Sequence, residues 1–437
     1  MSTRICIGLT LALGFTNLQA QEVLKPSKAI SLALEHNYGI QVAQNNVAMF
    51  KNNTHILNSG YLPTLSANAN AVYNLDDIEA TTSNGVTTTI PNAESNRYNA
   101  SLNLNYTLFD GFGREYNYQK LKEEYQLSEL QARETIENTI IQLFSVYYNV
   151  AQIKENSNSL AQSLSISKDR LKRAEQQFEY GQNTKLAVLN ANVDINNDSI
   201  QLLNIELQLK NAKRNLNVVL GNALTSNFDI NTEVKFIPTL DQPMLLAKAK
   251  EKNVALLKSN KNIALKQLDV KLIKSVFLPT LGLNGSYGWN KNNNNAASFL
   301  TTSTNTGLSG GLSLTWNLFE GKALVEAKNR KLRLQNEELL KKEVLLKIER
   351  DFNNAWDNFQ NKYTVYQIQE HTIKTAQNNF NRTKEKFKLG QVNSIEFRQA
   401  QLNLLNAELN RNQAKFQAKY AELEVLYISG ELLNKEL

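Results

Sequence analysis

The chain has 437 residues, a net charge of +7 and a mean hydropathy of −0.41, and 20% of its residues are charged. A chain of this length exceeds what one compact core holds, so more than one structural unit is expected. The composition excludes a membrane protein built of apolar helices, and acidic and basic residues are interspersed, which favours a solvated surface over a nucleic-acid site.

The N-terminal segment, residues 1–20, has the features of a secretory signal peptide. Arg4 precedes the apolar run Ile5–Phe15, and Ala20 supplies a small residue before the expected cleavage point. The run is too short for a membrane-spanning helix, which needs about 20 apolar residues. The only cysteine, Cys6, lies in this segment, so the exported chain is expected to form no disulfide.

The remaining chain divides into two halves of similar plan, residues 21–234 and 244–437, with a connector at 235–243. Self-similarity over such a length indicates an internal duplication. Three motifs recur in the same order, at separations of 216, 210 and 209 residues: Tyr61–Leu65 with Phe277–Leu281, Leu108–Gly111 with Leu318–Gly321, and Phe178–Gln182 with Phe387–Gln391.

Periodicity predicts the same elements in both halves, and the fold class is mixed and mostly α. The first half is expected to contain a helix over 28–60, strands over 61–75 and 98–109, and helices over 112–180 and 185–220. The second is expected to contain a helix over 244–277, strands over 278–290 and 307–319, and helices over 322–389 and 394–428. The polar segments between paired strands, 76–96 and 291–306, are expected to form exposed loops.

In each predicted strand, apolar residues alternate with small polar residues, as in Leu65–Leu75. Strands of about ten residues with this alternation are typical of a transmembrane β-barrel, and a soluble sandwich with one buried face is the alternative. A closed barrel needs at least about eight strands, so copies of the chain would have to share one barrel, two supplying eight strands and three supplying twelve. Aromatic residues on these strands are predicted to form a belt at the membrane surface: Tyr73, Tyr98, Tyr287, Trp289 and Trp316.

A glycine interrupts an otherwise helical run once in each half. Because glycine adopts the left-handed conformation at little cost, it is predicted to end one helix and let the chain reverse. The preceding helices, of nearly 70 residues at about 1.5 Å per residue, would each be about 100 Å long and carry narrow apolar stripes typical of helix–helix packing. Each turn is therefore the predicted tip of a long antiparallel helical hairpin, and the candidate functional residues there are Phe178, Gly181, Gln182, Phe387, Gly390 and Gln391.

The sequence predicts no catalytic, metal or cofactor site. His36, His55 and His371 are isolated and lack the spacing of metal ligands. Gly111-Phe112-Gly113 lacks the third glycine of a dinucleotide-binding loop, and we interpret it as a strand-to-helix turn. A water-lined barrel continued by helices would be a duct rather than an enzyme.

The repeated Leu-Pro-Thr-Leu strand starts, Leu-Phe-Asp/Glu-Gly turns and Phe-x-x-Gly-Gln tips, with the opening segment Ala29–Asn37, resemble the TolC-like outer-membrane efflux proteins. The resemblance covers essentially the whole mature chain. It implies a homotrimer in the outer membrane of a Gram-negative bacterium, with a twelve-stranded β-barrel in lipid and a helical α-barrel in the periplasm. It also implies docking of the hairpin tips onto a periplasmic adaptor of an inner-membrane pump or type I secretion system.

The same resemblance suggests two gate residues just after the second tip. Family members commonly place acidic residues at these positions, where Glu396 matches the first and Gln399 replaces the second, so the anionic ring would be weaker. The corresponding residues of the first half, Ala187 and Asn190, are uncharged. From the residues alone, Glu396 would be interpreted as a solvated helix residue. A barrel-anchored structural or adhesive coiled-coil stalk without conduction is the alternative to a duct.

Overall fold

A computed structural model describes residues 23–223 and 228–434, so the predicted signal peptide and Cys6 lie outside the described residues. The described chain is mostly helical, which confirms the predicted class. Within these ranges no helix contains a stretch long and apolar enough to cross a membrane. The helices are α1 Pro26–His36, α2 Tyr38–Asn53, α3 Gly113–Glu179, α4 Lys185–Val219, α5 Gln242–Lys252, α6 Val254–Ser275, α7 Gly321–Lys388 and α8 Ser394–Ile428.

Four long strands, two short ones and two 3₁₀ helices, Ile56–Asn58 and Leu432–Asn434, complete the described fold. The long strands form one antiparallel sheet in the order β2-β3-β5-β6, and β1 pairs in parallel with β4. The strands are β1 Val23–Leu24, β2 Thr64–Thr81, β3 Thr87–Asp110, β4 Asp229–Ile230, β5 Thr280–Asn293 and β6 Thr302–Thr315.

The first predicted helix of each half is broken in two at an asparagine. Asn37 separates α1 from α2, and its Oδ1 accepts the amide of Ile40 at 3.2 Å. Asn253 separates α5 from α6, and its Oδ1 accepts the amide of Ala255 at 3.0 Å. Because an asparagine side chain that binds the amides of the next turn starts a new helix, the prediction of one continuous helix is wrong at both places.

The register of the long sheet separates two kinds of side chain. Ala67 lies opposite Leu102, which lies opposite Tyr287, whereas Asn103 lies opposite Ser286. The same parity continues from β5 to β6. Because successive residues of a strand point to opposite faces, the sheet has one apolar face and one small-polar face, as the alternation predicts.

The long strands extend further than predicted into the polar segments, although β2 begins at Thr64 rather than at 61 and β6 ends at Thr315 rather than at 319. β2 continues to Thr81 and β3 begins at Thr87, so most of the segment 76–96 is strand rather than loop. The second polar segment, 291–306, is likewise strand except for residues 294–301. Polar side chains in an exposed two-stranded ribbon need no burial, because the backbone ladder satisfies the main-chain groups, so composition alone underestimates the strands.

The pairing of β1 with β4 was not predicted, because strands of two residues leave no periodic signal. The buried Tyr147 of α3 lies beside this pairing, with its hydroxyl 2.8 Å from the carbonyl of Leu24 and 3.1 Å from that of Asn231. Burial raises the pKa of Tyr147, so its phenol remains a hydrogen-bond donor.

The connector between the two halves is held by buried charged groups of α8. The amide of Ile237 donates to Glu422 Oε1 at 2.6 Å, and Lys419 Nζ donates to the carbonyl of Lys235 at 2.8 Å. Glu422 is fully buried and forms an ion pair with Lys419. Since a buried carboxylate requires such partners, this arrangement fixes the path of the connector.

The described chain forms two compact units. The first contains Thr135–Ala249 with the residues up to Gln41 and those from Arg350 onward, and the second contains Val42–Glu134 and Lys250–Glu349. Each unit takes residues from both halves of the sequence, so the compact units do not coincide with the repeats. The four-stranded sheet belongs to the second unit, and both glycine turns belong to the first.

Candidate functional site

Both glycine turns have the same backbone conformation. Gly181 lies between α3 and α4 with φ +69°, and Gly390 lies between α7 and α8 with φ +72°. Residues with a side chain rarely adopt this left-handed region. A Cβ at either position would meet no atom within 4 Å, so the backbone conformation, and not a lack of space, requires glycine.

Each turn closes with the paired backbone hydrogen bonds of a Schellman motif. The Gln182 amide donates to the carbonyl of Gln177 at 2.7 Å, and the Gln391 amide donates to that of Lys386 at 2.9 Å. In both turns the glycine amide also donates to the carbonyl of the phenylalanine three residues earlier, at 3.0 and 3.2 Å. The side chains of Gln182 and Gln391 are exposed.

The second turn is anchored by aromatic packing. The Phe387 ring stacks on Phe397 with centroids 4.6 Å apart, and Phe380 lies 5.6 Å from Phe397. Phe397 is 4% exposed. Arg173 of α3 lies 5.3 Å from the centre of the Phe387 ring and donates to the carbonyl of Lys388 at 2.6 Å. These contacts join the second turn to α3.

The first turn lacks an equivalent aromatic cluster. Phe178, which corresponds to Phe387, is 41% exposed, and Lys185 Nζ lies 5.3 Å from the centre of its ring. The position that corresponds to Phe397 is occupied by Val188, which is buried but much smaller. The two tips therefore share a backbone turn but differ in how their side chains pack.

Glu396, the first gate candidate, takes part in a capping box at the start of α8. Asn393 Oδ1 accepts the amides of Ile395 and Glu396 at 3.0 and 2.9 Å, and the Asn393 amide donates to Glu396 Oε2 at 3.2 Å. The second candidate, Gln399, donates to Asn403 Oδ1 at 2.9 Å. Both candidates are exposed, and the local contacts of Glu396 give it a helix-capping role that does not depend on a gate.

A cleft of about 700 Å³ lies between the starts of α4 and α8 in the first unit. It brings residues of the two predicted tips together. Four of the candidate residues line it, namely Gln182, Phe387, Gly390 and Gln399. The other four tip and gate candidates, Phe178, Gly181, Gln391 and Glu396, do not line it.

A buried charge network beside the cleft joins three helices. Arg398 of α8 binds both carboxylate oxygens of Asp198 on α4, at 2.6 and 2.8 Å, and Ser167 of α3 donates to Asp198 at 2.6 Å. Arg170 of α3 forms an ion pair with Asp194. Burial alone would lower the pKa of Arg398, but the bonds and attraction to Asp198 and Asp194 raise it above its ordinary value, so the guanidinium stays charged.

Sequence reasoning missed this network. The residues come from segments separated by up to 231 positions, as in the bond from Arg398 to Ser167. One signal was present, because Asp194 and Asp198 lie one turn apart on α4 and like charges at that spacing destabilise a helix unless cations neutralise them. That signal predicts basic partners without identifying them.

Four residues of the predicted aromatic belt lie on strands of the sheet, and the fifth lies just beyond its end. Tyr73, Tyr98, Tyr287 and Trp289 lie on the apolar face of the sheet, as their register shows. Trp316 follows the end of β6, and its Nε1 donates to the carbonyl of Phe277 at 3.1 Å. All five side chains are between 38% and 59% exposed in the single chain.

The described residues contain no group of three or more His, Cys, Asp or Glu side chains that could hold a metal ion. The arrangement at the tips consists of paired charges, amides and exposed apolar residues. Such groups can form contacts and set the local charge. We find no nucleophile beside a base among the residues that line the cleft.

Comparison with known proteins agrees with the resemblance in the motifs. The family model described as outer membrane efflux protein matches residues 29–222 and 245–431. A search of curated proteins by sequence finds no match.

Three similar solved structures illustrate the fold. The outer membrane channel CmeC of Campylobacter jejuni is 17% identical, with a TM-score of 0.76 over 99% of this chain and 94% of that chain. VceC of Vibrio cholerae is 14% identical, with a TM-score of 0.69 over 93% and 96%. The open MtrE outer membrane channel of Neisseria gonorrhoeae is 17% identical, with a TM-score of 0.65 over 93% and 89%. The family match in both halves confirms the internal duplication and the outer-membrane location, and the protein belongs to the outer membrane efflux protein family.

Proposed function

We propose that the protein is the outer-membrane exit duct of a tripartite efflux or type I secretion system and conducts its substrate passively. The observation that carries the proposal is the sheet, whose register keeps an apolar face apart from a small-polar face. A wall of this kind suits lipid on one side and water on the other. Membership in an outer-membrane efflux family supports this use of the sheet.

Several copies are needed to close such a wall, and we propose a homotrimer. β2 and β6 are the edge strands of the described sheet, and three copies would supply twelve strands and leave no edge. Helix α4 also carries an exposed apolar stripe at the spacing of a coiled coil, which another copy would cover. The stripe consists of Leu186, Leu189, Val193, Ile200, Leu203 and Leu207, each between 52% and 65% exposed.

The helical hairpins are proposed to extend the duct through the periplasm as an α-barrel, with a gate and an adaptor site at the tips. Exposed apolar side chains at the turns support a protein partner there, since Tyr180, Leu389 and Ile395 are 78%, 72% and 76% exposed. The partner would be a periplasmic adaptor that links the duct to an inner-membrane pump. Glu396 and Gln399 remain the gate candidates.

Conductance separates the duct from its alternative, a barrel-anchored stalk. Purified full-length protein inserted into a planar bilayer is expected to give discrete current steps, because the small-polar face would line a water-filled bore. A stalk would give none. Membranes that contain the assembled oligomer but carry no current would overturn the proposed duct.

Export by cells tests the role of the tip. Gly390→Val places a β-branched residue in the left-handed region, so we expect the turn to distort and export to be lost while the oligomer still assembles. Gly85→Val is the matched control, because Gly85 has φ +83° and equally open surroundings but lies in the loop between β2 and β3. Survival of a deletion strain on a panel of toxic compounds measures export. Full survival with Gly390→Val would contradict docking at the tip.

A further inference from the structure

The second hairpin tip is much more basic than the first. Residues 380–399 carry five cations and two anions, a net charge of +3, whereas the corresponding residues 171–190 carry a net charge of +1. The cations of the second tip are Arg382, Lys384, Lys386, Lys388 and Arg398, and its anions are Glu385 and Glu396.

Four of these cations form an exposed group on the last two turns of α7, which we call the basic end of α7: Arg382, Lys384, Lys386 and Lys388. Lys388 pairs with Glu385 at 2.8 Å, while the other three form no ion pair with the described residues. Arg398, by contrast, is neutralised by Asp198 in the buried network. The excess positive charge of the tip therefore lies on the surface, where it can act on a passing solute.

The wall of the proposed barrel is almost neutral on its small-polar face. Three charged side chains lie on that face of the described sheet: Arg97 and Asp76, which are opposite in sign, and Asp110, which pairs with Arg114 at 3.4 Å. The rest of the face carries asparagine, serine, threonine and glycine, with five apolar residues: Val72, Ile78, Ala80, Ile90 and Ala93. A neutral lining of amides and hydroxyls does not distinguish cations from anions by charge, so any charge preference has to come from elsewhere.

We propose that the duct prefers anions and that the basic end of α7 sets this preference. The inference rests on the proposed function, because it requires the second tip to border the mouth of a conducting bore. Rings of lysine and arginine select anions in pores, and a narrow passage concentrates the field of such charges. Three copies would bring twelve of these cations to the tips. The substrate class that follows is anionic or acid-bearing solutes.

The reversal potential of the wild-type protein in a planar bilayer under a KCl gradient tests the preference. We expect a permeability ratio of Cl− to K+ above one, which falls as salt rises, because screening shortens the reach of surface charges to about 10 Å at 0.1 M. The combined variant Arg382→Gln, Lys384→Gln, Lys386→Gln and Lys388→Gln should bring the ratio to one or below.

The matched control removes four exposed cations from another part of the same helix. The variant Lys322→Gln, Lys328→Gln, Lys331→Gln and Lys342→Gln should keep the wild-type ratio, although its loss of charge is equal. The double variant Lys384→Gln, Lys386→Gln gives an intermediate ratio and serves if the fourfold variant fails to assemble. A wild-type ratio at or below one, or equal shifts in the tip and control variants, would overturn the inference and leave the duct intact. A protein that carries no current would instead overturn the duct itself.

Discussion

Comparison of the two hairpin tips shows which features of a duplicated element depend only on residues adjacent in sequence. Both turns place a glycine at a φ angle near +70° and close with the same pair of backbone hydrogen bonds. Their surroundings differ, because the second turn stacks Phe387 on the buried Phe397, while Phe178 of the first turn is 41% exposed. The start of α8 has a capping box, but Thr184 at the start of α4 makes no side-chain capping bond.

A turn set by about six consecutive residues can survive duplication unchanged, since it depends only on those residues. Anchoring depends on partners distant in sequence, such as Arg173 and Phe397, and these are free to diverge. We therefore expect the second tip to be the more rigid of the two. Substitutions that remove the anchors of the second tip should make the two tips alike in rigidity. Equivalent substitutions in the shared turn should lower the stability of the protein by equal amounts at either tip.

The largest loss of stability is expected from a substitution in the buried charge network that joins α8 to α3 and α4. Asp198→Ala leaves Arg398 with the Ser167 hydroxyl and with Asp194, 3.7 Å away, and removal of one member of a buried ion pair costs about 3–5 kcal/mol. The thermal midpoint of the purified protein in detergent, followed by circular dichroism, should fall clearly. Glu385→Gln is the matched control, because its ion pair with Lys388 is exposed and should leave the midpoint unchanged. Equal midpoints for the two variants would show that the network does not hold the helices together.

The second-largest loss of stability is expected from the aromatic packing of the second tip, which the first tip lacks. Phe397→Ala removes a buried ring and should cost about 3 kcal/mol, whereas Phe178→Ala removes a largely exposed ring and should cost less than about 1 kcal/mol. Limited proteolysis should then cut the second tip of the Phe397→Ala protein as readily as the first tip of the wild type. If Phe178→Ala is the more damaging change, the assignment of rigidity to the second tip is wrong.

Sequence predicted the features that depend on short-range patterns. Alternation in Leu65–Leu75 gave the two faces of the sheet, and the glycines at 181 and 390 gave the turns with their left-handed conformation. In both cases the physical cause is local, namely the period of a strand and the absence of a Cβ. The family motifs added the outer-membrane location, which the family match confirms.

Two kinds of feature were not predicted from the sequence. One depends on residues that are distant in sequence, and the other on residue types that suit more than one structure. The helix breaks at Asn37 and Asn253 were hidden because asparagine is tolerated within a helix as well as at its start. The bond between Arg398 and Asp198 joins residues 200 positions apart, and no periodicity encodes it. The adaptor and gate roles of the tips stay predictions, because they concern partners and motions rather than the fold of one chain.

Replacing the turn glycine should cause a smaller loss of stability, equal at the two tips. Gly181→Ala and Gly390→Ala each force a Cβ into the left-handed region, at a cost of about 1–2 kcal/mol, and neither added Cβ meets a neighbouring atom. The two thermal midpoints should therefore fall by similar amounts despite the different packing. Asparagine tolerates this conformation better, so Gly390→Asn should recover part of the loss. A clear difference between the two alanine variants would mean that the surroundings, and not the backbone, determine the cost.

The smallest loss of stability is expected from the N-terminal caps of α4 and α8. Variants at the α8 cap also separate the capping role of Glu396 from its proposed gate role. Asn393→Ala removes the side-chain cap of α8 and should cost about 1 kcal/mol, with faster hydrogen exchange at the amides of Ile395 and Glu396. Thr184→Ala should change little, since Thr184 makes no such bond. Glu396→Gln keeps an acceptor for the Asn393 amide but removes the charge. If Glu396 only caps the helix, its glutamine variant should match the wild type in both stability and single-channel conductance, whereas at a gate residue the conductance alone should change.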